Sequence, residues 1–304
     1  MFSLIQNKFS RFTENIIKLN YWRLIMKNFS FKILSCVGLF FICSSLIAAN
    51  PLSSSNKNEV LIVRDASSDV GLPDRFRDIP TLNISGSAQF TKEQVKNLKD
   101  SIGKENICIV DLRQESHGMI NEFAISFFDR YKDLNNGFTT EETINKENSL
   151  LNKIKIGSTV PLYRRSGALI KNITVDFVSN ESTVVTDAGM QYKRFAVKDN
   201  GAPTPALVDE FVEFINNKPD DLHLHFHCDA GEGRTTSFMV MYQALKNSNN
   251  LSLDQLLSYQ YNIGGVNLHD NSTQLEFLKD FYNYVEKNKS DNYSTPYSEW
   301  IKEE

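Results

Sequence analysis

The stretch that most constrains this chain is LHLHFHCDAGEGRTT, residues 222–236. Its first seven residues alternate strictly between apolar side chains and histidine until Cys228, and a period of two is that of a β-strand. From Thr235 to Lys246 the spacing becomes helical, with Phe238, Tyr242 and Leu245 on one side. Between them lies DAGEGR, where Gly231 and Gly233 permit a tight loop whose backbone N–H groups converge on one point. That point is also a helix N-terminus, whose dipole favours an anion. A thiol there, Cys228, is favoured as the thiolate. Arg234 adds a planar fork that matches two phosphate oxygens. The segment therefore dictates a strand–loop–helix unit, and the chemistry it implies is attack of Cys228 on phosphorus with loss of an alcohol.

The rest of the chain supplies partners for that unit. ICIVDL (107–112) is a continuous apolar run of strand length, the pattern of a buried strand. Thr91 and Gln94 form a capping box ahead of Val95, Leu98 and Ile102, which predicts a helix over about 92–102. Pro205 after Thr204 opens another helix, with Leu207, Val208, Phe211, Val212 and Ile215 as its buried stripe. Ser252 with Gln255 caps a third, stopped by Gly264 and Gly265. Leu275, Leu278, Phe281 and Val285 mark a last long helix. Strands alternating with helices predict an α/β layered fold with a mostly parallel central sheet. Residues 154–197 mix alternating runs such as ITVDFV with turn residues, and β-hairpins are expected there.

Composition bounds the function. The chain has 304 residues, enough for one large or two ordinary domains, and 41% hydrophobic content allows a real core. A net charge of −4 gives no basic surface, so nucleic acid is not an expected partner. A small anionic substrate remains compatible, because the field inside a cleft can oppose the sign of the whole.

From Met26 the sequence reads MKNFSFKILSCVGLFFICSSLIAAN. Lys27 and Lys32 form a basic region, Ile33 to Leu46 is apolar and uncharged, and Ala48 and Ala49 offer a small-residue cleavage site. That is the layout of a secretory signal peptide, with a short membrane anchor as the alternative. Residues 1–49 are read as an N-terminal extension plus signal peptide, with Met26 a candidate start. Residues 50–58 are read as a turn-rich linker and 59–304 as the catalytic domain. Export to the periplasm or out of the cell follows, with delivery into a host cell as a further alternative. Loss of Cys36 and Cys43 with the signal leaves Cys108 and Cys228, too few for a disulfide framework.

His227, Cys228, Gly231, Arg234 and Thr235 match H-C-x-x-G-x-x-R-[ST], and in this the chain resembles the protein tyrosine phosphatase superfamily. The resemblance implies that the loop Asp229, Ala230, Gly231, Glu232 and Gly233 cradles the phosphate. It also implies that Thr235 hydrogen-bonds the leaving thiolate and that His227 orients the loop. The reaction needs an acid to protonate the leaving alkoxide, and a base to activate water afterwards. The superfamily carries an Asp on a mobile loop upstream of the cysteine. Asp199, in FAVKDNGAPTP, is the candidate; an ordinary turn Asp is the alternative reading.

More of the chain carries a closer resemblance. NISGSAQFT (83–91), VDLRQESHG (110–118), YKRFAVKDNGAPTP (192–205), YQYNIGG (259–265) and YSTPYSEW (293–300) are together similar to the tyrosine-phosphatase-like phytases. These are bacterial cysteine-dependent phosphatases of myo-inositol hexakisphosphate. The resemblance implies a dual-specificity-type tyrosine phosphatase fold with a small antiparallel β insertion, for which 154–197 is the candidate. It implies no cofactor and no metal, since thiolate, arginine and backbone N–H groups supply nucleophile and charge stabilisation. Arg77 matches an N-terminal arginine that contacts substrate phosphate. Arg164, Arg165 and Lys198 are further candidates from charge, with a solvated surface role as the alternative. Arg113, Glu115 and His117 are read as a structural triad that ties loops under the site.

The chain departs from these phytases after IGG, where GGVNLHDNSTQLEF runs into the last helix without a lysine-rich insertion. Inositol phosphates are the expected substrates, and phosphoinositides or host phosphoproteins are the alternatives. His223, His225 and His227 fall on one face of their strand. They are expected to be satisfied core histidines, with metal binding as the alternative.

Overall fold

The computed structural model describes residues 60–65, 70–129, 134–247 and 249–303, all within the unit Asn56–Glu304. The signal peptide and linker expected over residues 1–58 lie outside them. In chain order come β1 (Leu61–Arg64), β2 (Arg77–Ile79), β3 (Ile84–Ser87), α1 (Lys92–Ile102), β4 (Ile107–Arg113), β5 (His117–Ile120), β6 (Phe123–Phe128) and α2 (Thr140–Leu151). They are followed by β7 (Thr159–Tyr163), β8 (Leu169–Thr174), β9 (Val178–Ser179), α3 (Glu181–Asp187), β10 (Gln191–Val197), α4 (Pro205–Asn217) and β11 (His223–His227). The last are α5 (Gly233–Leu245), α6 (Leu253–Asn262), α7 (Ser272–Asn288) and α8 (Tyr297–Trp300).

The apolar run at 107–112 becomes β4, buried at every position. It lies in a five-stranded sheet of order β10-β4-β11-β3-β2. The first four of these strands run parallel, and β2 pairs antiparallel at the edge. This is the mostly parallel α/β sheet that the alternation of elements predicts. The carboxyl ends of β3, β4, β10 and β11 therefore open at one edge, where open α/β sheets bind their ligands. One face packs on α4, α5 and α7 through Phe195, Phe211, Phe226, Phe238 and Phe281. The other packs on α1 and α3 through Phe90, Leu98, Ile109 and Val185.

The predicted helices form for the expected reasons. Thr91 and Gln94, and Ser252 and Gln255, make complete capping boxes. The stripe of α4 is buried at all five positions named from sequence. Helix α5 is buried on all sides, because it lies behind the sheet and under α6 and α7.

A second sheet has the order β8-β7-β1-β6-β5-β9, antiparallel except for β1 with β7. Here the expectation for 154–197 is corrected. Only β7, β8 and β9 from that stretch join the antiparallel sheet, and half of the sheet comes from residues 61–64 and 117–128. Residues 181–187 are helical although ESTVVTD is rich in β-branched side chains. Asn180 caps that helix and burial of Val184 and Val185 against α1 overrides strand propensity. Strand β10 belongs to the central sheet, paired with β4.

Candidate active site

Cys228 follows β11 at the open edge of the central sheet and is buried. The loop behind it needs its glycines. Gly231 has φ +69, and a Cβ there would lie 2.4 Å from Ala88 N. At Gly233 a Cβ would lie 2.6 Å from the Gln274 side chain. Helix α5 starts at Gly233, and Glu232 at its N-cap makes no side-chain cap, which leaves the first-turn N–H groups to the cavity. Thr235 Oγ1 donates to Cys228 Sγ at 3.2 Å.

Arg234 is buried, and its guanidinium is held by two carboxylates and a backbone carbonyl. Nη1 and Nη2 meet Glu115 Oε2 and Oε1 at 2.5 and 2.8 Å. Nη1 also donates to Val197 O, and Nη2 to Asp199 Oδ1 at 3.0 Å. Burial alone would raise the Glu115 carboxyl, but the Arg234 charge outweighs it and holds the group well below the usual range. Burial likewise opposes the Arg234 charge, and Glu115 more than restores it. The arginine is thus a fixed cation.

Cys228, Arg234 and Asp199 line one cavity of about 170 Å³, with Arg165, Asn200, Asp229, Ala230, Glu232, Gly233 and Gln274. The sheet explains the convergence. Asp199 stands two residues past β10, Glu115 two past β4 and Cys228 one past β11, so the parallel strands deliver all three to one edge. Asp199 sits in a turn closed by Gly201 N to Lys198 O at 3.0 Å, with Asn200 left-handed at φ 57.

Several sequence expectations change here. Arg77 does not face the cavity. It is 4% exposed and holds the loop from beneath, donating to Gly231 O at 3.0 Å and Thr236 Oγ1 at 3.2 Å. Burial pushes it down to about 10, against the pull of Cys228. The side chain of Asp229 is 8% exposed and pairs with Arg165. Glu232 is half-exposed at the rim and pairs with Arg75 at 2.8 Å. Lys198 lines a different cavity, with Glu115 and Asn135. Arg164 lines neither that cavity nor the one at Cys228.

Beneath the loop lies a lattice of buried charges, of which the sequence marks Arg113 and His117 as structural, with Glu115 as the third member of that triad. Arg113 joins Asp65 at 3.0 Å and Gln89 Oε1 at 2.8 Å. Arg194 joins Asp111 at 3.0 Å and Glu147 at 2.8 Å. His227 Nε2 lies 2.8 Å from Glu181, and His117 lies between Asp111, Glu147 and Glu181 at 3.3–3.5 Å. Within each pair the two partners come from different segments of the chain, so no local spacing signals the lattice. Asp111, His117 and Glu181 are close enough to share a metal ion. That cluster already faces protein cations, however. Burial lowers His117, but Asp111 and Glu147 outweigh it and hold the imidazole up at about 9. His223 Nε2 and His225 Nδ1 each lie 2.8 Å from Ser85 Oγ, whereas His223 Nδ1 has no hydrogen-bond partner among the described residues, so the expectation of satisfied core histidines holds only in part.

The sequence model of the PTP-like phytases, described by inositol hexakisphosphate, matches residues 110–246. A tandemly repeated PTP-like phytase of Mitsuokella multacida has a structure that superposes with TM-score 0.73 at 30% identity, over 81% of this chain and 49% of that one. These matches place residues 110–246 of the chain in the protein tyrosine phosphatase-like phytase family. The PTP-like phytase of Bdellovibrio bacteriovorus superposes with TM-score 0.69 at 28% identity, over 81% of this chain and 95% of that one. Effector protein hopD2 of Pseudomonas syringae pv. tomato is 29% identical over 243 residues, 72% of this chain and 51% of that protein. The chain thus spans about half the length of the curated effector and of the Mitsuokella protein. Its dual-specificity-type α/β fold is the one expected from the motif.

Proposed function

We propose that the chain is a cysteine-dependent phosphatase of inositol polyphosphates, exported from a bacterial cell. The observation that carries this reading is the single cavity lined by Cys228, Arg234 and Asp199. The Cys228 thiolate attacks phosphorus and the P–O bond to the alcohol breaks. Asp199 protonates the departing oxygen. The loop N–H groups and Arg234 bind the phosphate oxygens and stabilise the charge that develops on them. A water then gives its proton to the Asp199 carboxylate and attacks phosphorus, the S–P bond breaks, and phosphate leaves. Thr235, 3.2 Å from Sγ, donates to the returning thiolate.

Asp199 occupies part of the arginine fork, 3.0 Å from Arg234 Nη2. A substrate phosphate displaces it there and brings the acid beside the leaving oxygen. Inositol phosphates are supported as substrates by the family and by the Mitsuokella relative, solved with myo-inositol-(1,3,4,5)-tetrakisphosphate. A second reading, action on a host phosphoprotein or lipid after delivery into a host cell, is favoured by the similarity to an effector protein. The cavity also offers few free cations, since Arg165 and Arg234 are each paired to carboxylates. Signal-dependent export rests on residues 26–49, outside those described; among the described residues no helix is long and apolar enough to cross a membrane.

The test is phosphate release from myo-inositol hexakisphosphate, a phosphotyrosine peptide and a phosphoinositide, with Cys228→Ser as control. Release from the hexakisphosphate above that control is expected. No such release would overturn the inositol phosphatase reading.

A further inference from the structure

The acid-bearing turn has a second anchor that the mechanism does not use. Helix α7 starts beside it, and the amide side chains of its N-cap and its third residue hold two successive backbone carbonyls. Asn271 Nδ2 donates to Asn200 O at 3.4 Å, and Gln274 Nε2 donates to Gly201 O at 3.3 Å. Asn271 meanwhile caps α7, its Oδ1 accepting from Gln274 N at 3.1 Å. Gln274 is 1% exposed, lines the cavity with Cys228, and lies against Gly233 of the anion loop. Its Oε1 has no partner among the described residues. A buried amide oxygen without a partner costs about 1–3 kcal/mol, so packing alone favours an apolar residue at this place.

We propose that Asn271 and Gln274 are positioning residues that latch the Asp199 turn to the anion loop and so set the distance between acid and nucleophile. Asp199 and Asn200 are exposed, and Asn200 is left-handed ahead of Gly201. Its one side-chain tie to the catalytic loop, Arg234, is the tie a substrate phosphate breaks. After that exchange the contacts from α7 still hold the turn over the cavity. The latch rests on the phosphatase reading given above.

The consequence is specific to acid catalysis. An inositol phosphate leaves as a poorly stabilised alkoxide and needs the Asp199 proton; an aryl phosphate with an acidic phenol hardly needs it. The experiment compares kcat on myo-inositol hexakisphosphate and on difluoromethylumbelliferyl phosphate for wild type, Asp199→Asn, Gln274→Leu and Asn271→Asp. Asn271→Asp keeps the capping oxygen and loses only the donor, so it remains informative if Gln274→Leu does not fold. Each latch variant is expected to lose about 10-fold or more on the inositol phosphate and less than about 3-fold on the aryl phosphate, a weaker copy of Asp199→Asn, since positioned acids contribute 10²–10⁴-fold. Equal losses on both substrates, or no loss on either, would overturn the latch while wild-type turnover still upholds the phosphatase reading. Absence of wild-type turnover on both would instead overturn the phosphatase reading, and the latch with it.

Discussion

Glu115 meets Arg234 with both carboxylate oxygens, at 2.5 and 2.8 Å, and so fixes the guanidinium from behind while its other side faces the cavity. The pair spans the loop after β4 and the first turn of α5, two segments that the parallel sheet brings to one edge. Glu115→Ala should destabilise the fold by about 3–5 kcal/mol, the usual consequence of leaving one member of a buried pair. It should also lower kcat/KM about 10-fold or more, as the fork loses its orientation. Urea unfolding and phosphate release check both; a variant with wild-type stability would mean that the pair is energetically idle.

Gly231 carries the turn of the anion loop. Gly231→Ala requires φ +69 of an alanine, itself a cost of about 1–2 kcal/mol, and presses a Cβ to 2.4 Å from Ala88 N. The loop must shift, and phosphate release should drop below a hundredth of wild type, about 3 kcal/mol in barrier terms. Thermal melting with activity measures the two effects, and near-normal turnover in this variant would contradict the described loop.

Arg165 reaches from the β7–β8 turn to Asp229 in the anion loop. It is 38% exposed, so water screens the pair and its loss should change stability by no more than about 1 kcal/mol. Its effect belongs to binding. Arg165→Ala should raise KM for a multiply charged phosphate several-fold with little change in kcat, and the difference should shrink as salt rises. A fall in kcat at unchanged KM would argue against that role.

His117 gives the fold a pH signature. Its pKa rises from an ordinary 6.5 to about 9 in the fold, so its stabilising contribution is complete below 6.5 and is lost as pH rises through 9. The urea midpoint should therefore fall across that window. His117→Gln should flatten the fall, and an unchanged slope in the variant would place the proton elsewhere.

How much of this was legible in the sequence depends on whether the signal was local. Cys228, Gly231, Arg234 and Thr235 lie within eight residues, and their order alone specifies an anion-binding strand–loop–helix. The capping boxes at Thr91 and Ser252 were equally local, and both formed. A third box, Thr139 with Glu142, starts α2 and carries the same signal, though no helix was expected there. Long-range charge was not legible. Arg77 was expected to contact substrate phosphate, and only the placement of β2 shows it under the anion loop. Gln274 is one amide in an amphipathic helix, and only the packing of α7 against Gly233 and Gly201 gives it a partner. The second sheet escaped because its strands come from three separated stretches whose short runs carry little periodicity.

The central claim is that Cys228 forms a covalent bond to phosphorus during turnover. Asp199→Asn enzyme, quenched during turnover of myo-inositol hexakisphosphate and digested, can be searched for phosphorylated peptides by mass spectrometry. The account predicts a phosphoryl group on Cys228, absent when Cys228→Ser is added. Sustained phosphate release by the Cys228→Ser protein, with no phosphocysteine in any sample, would contradict it.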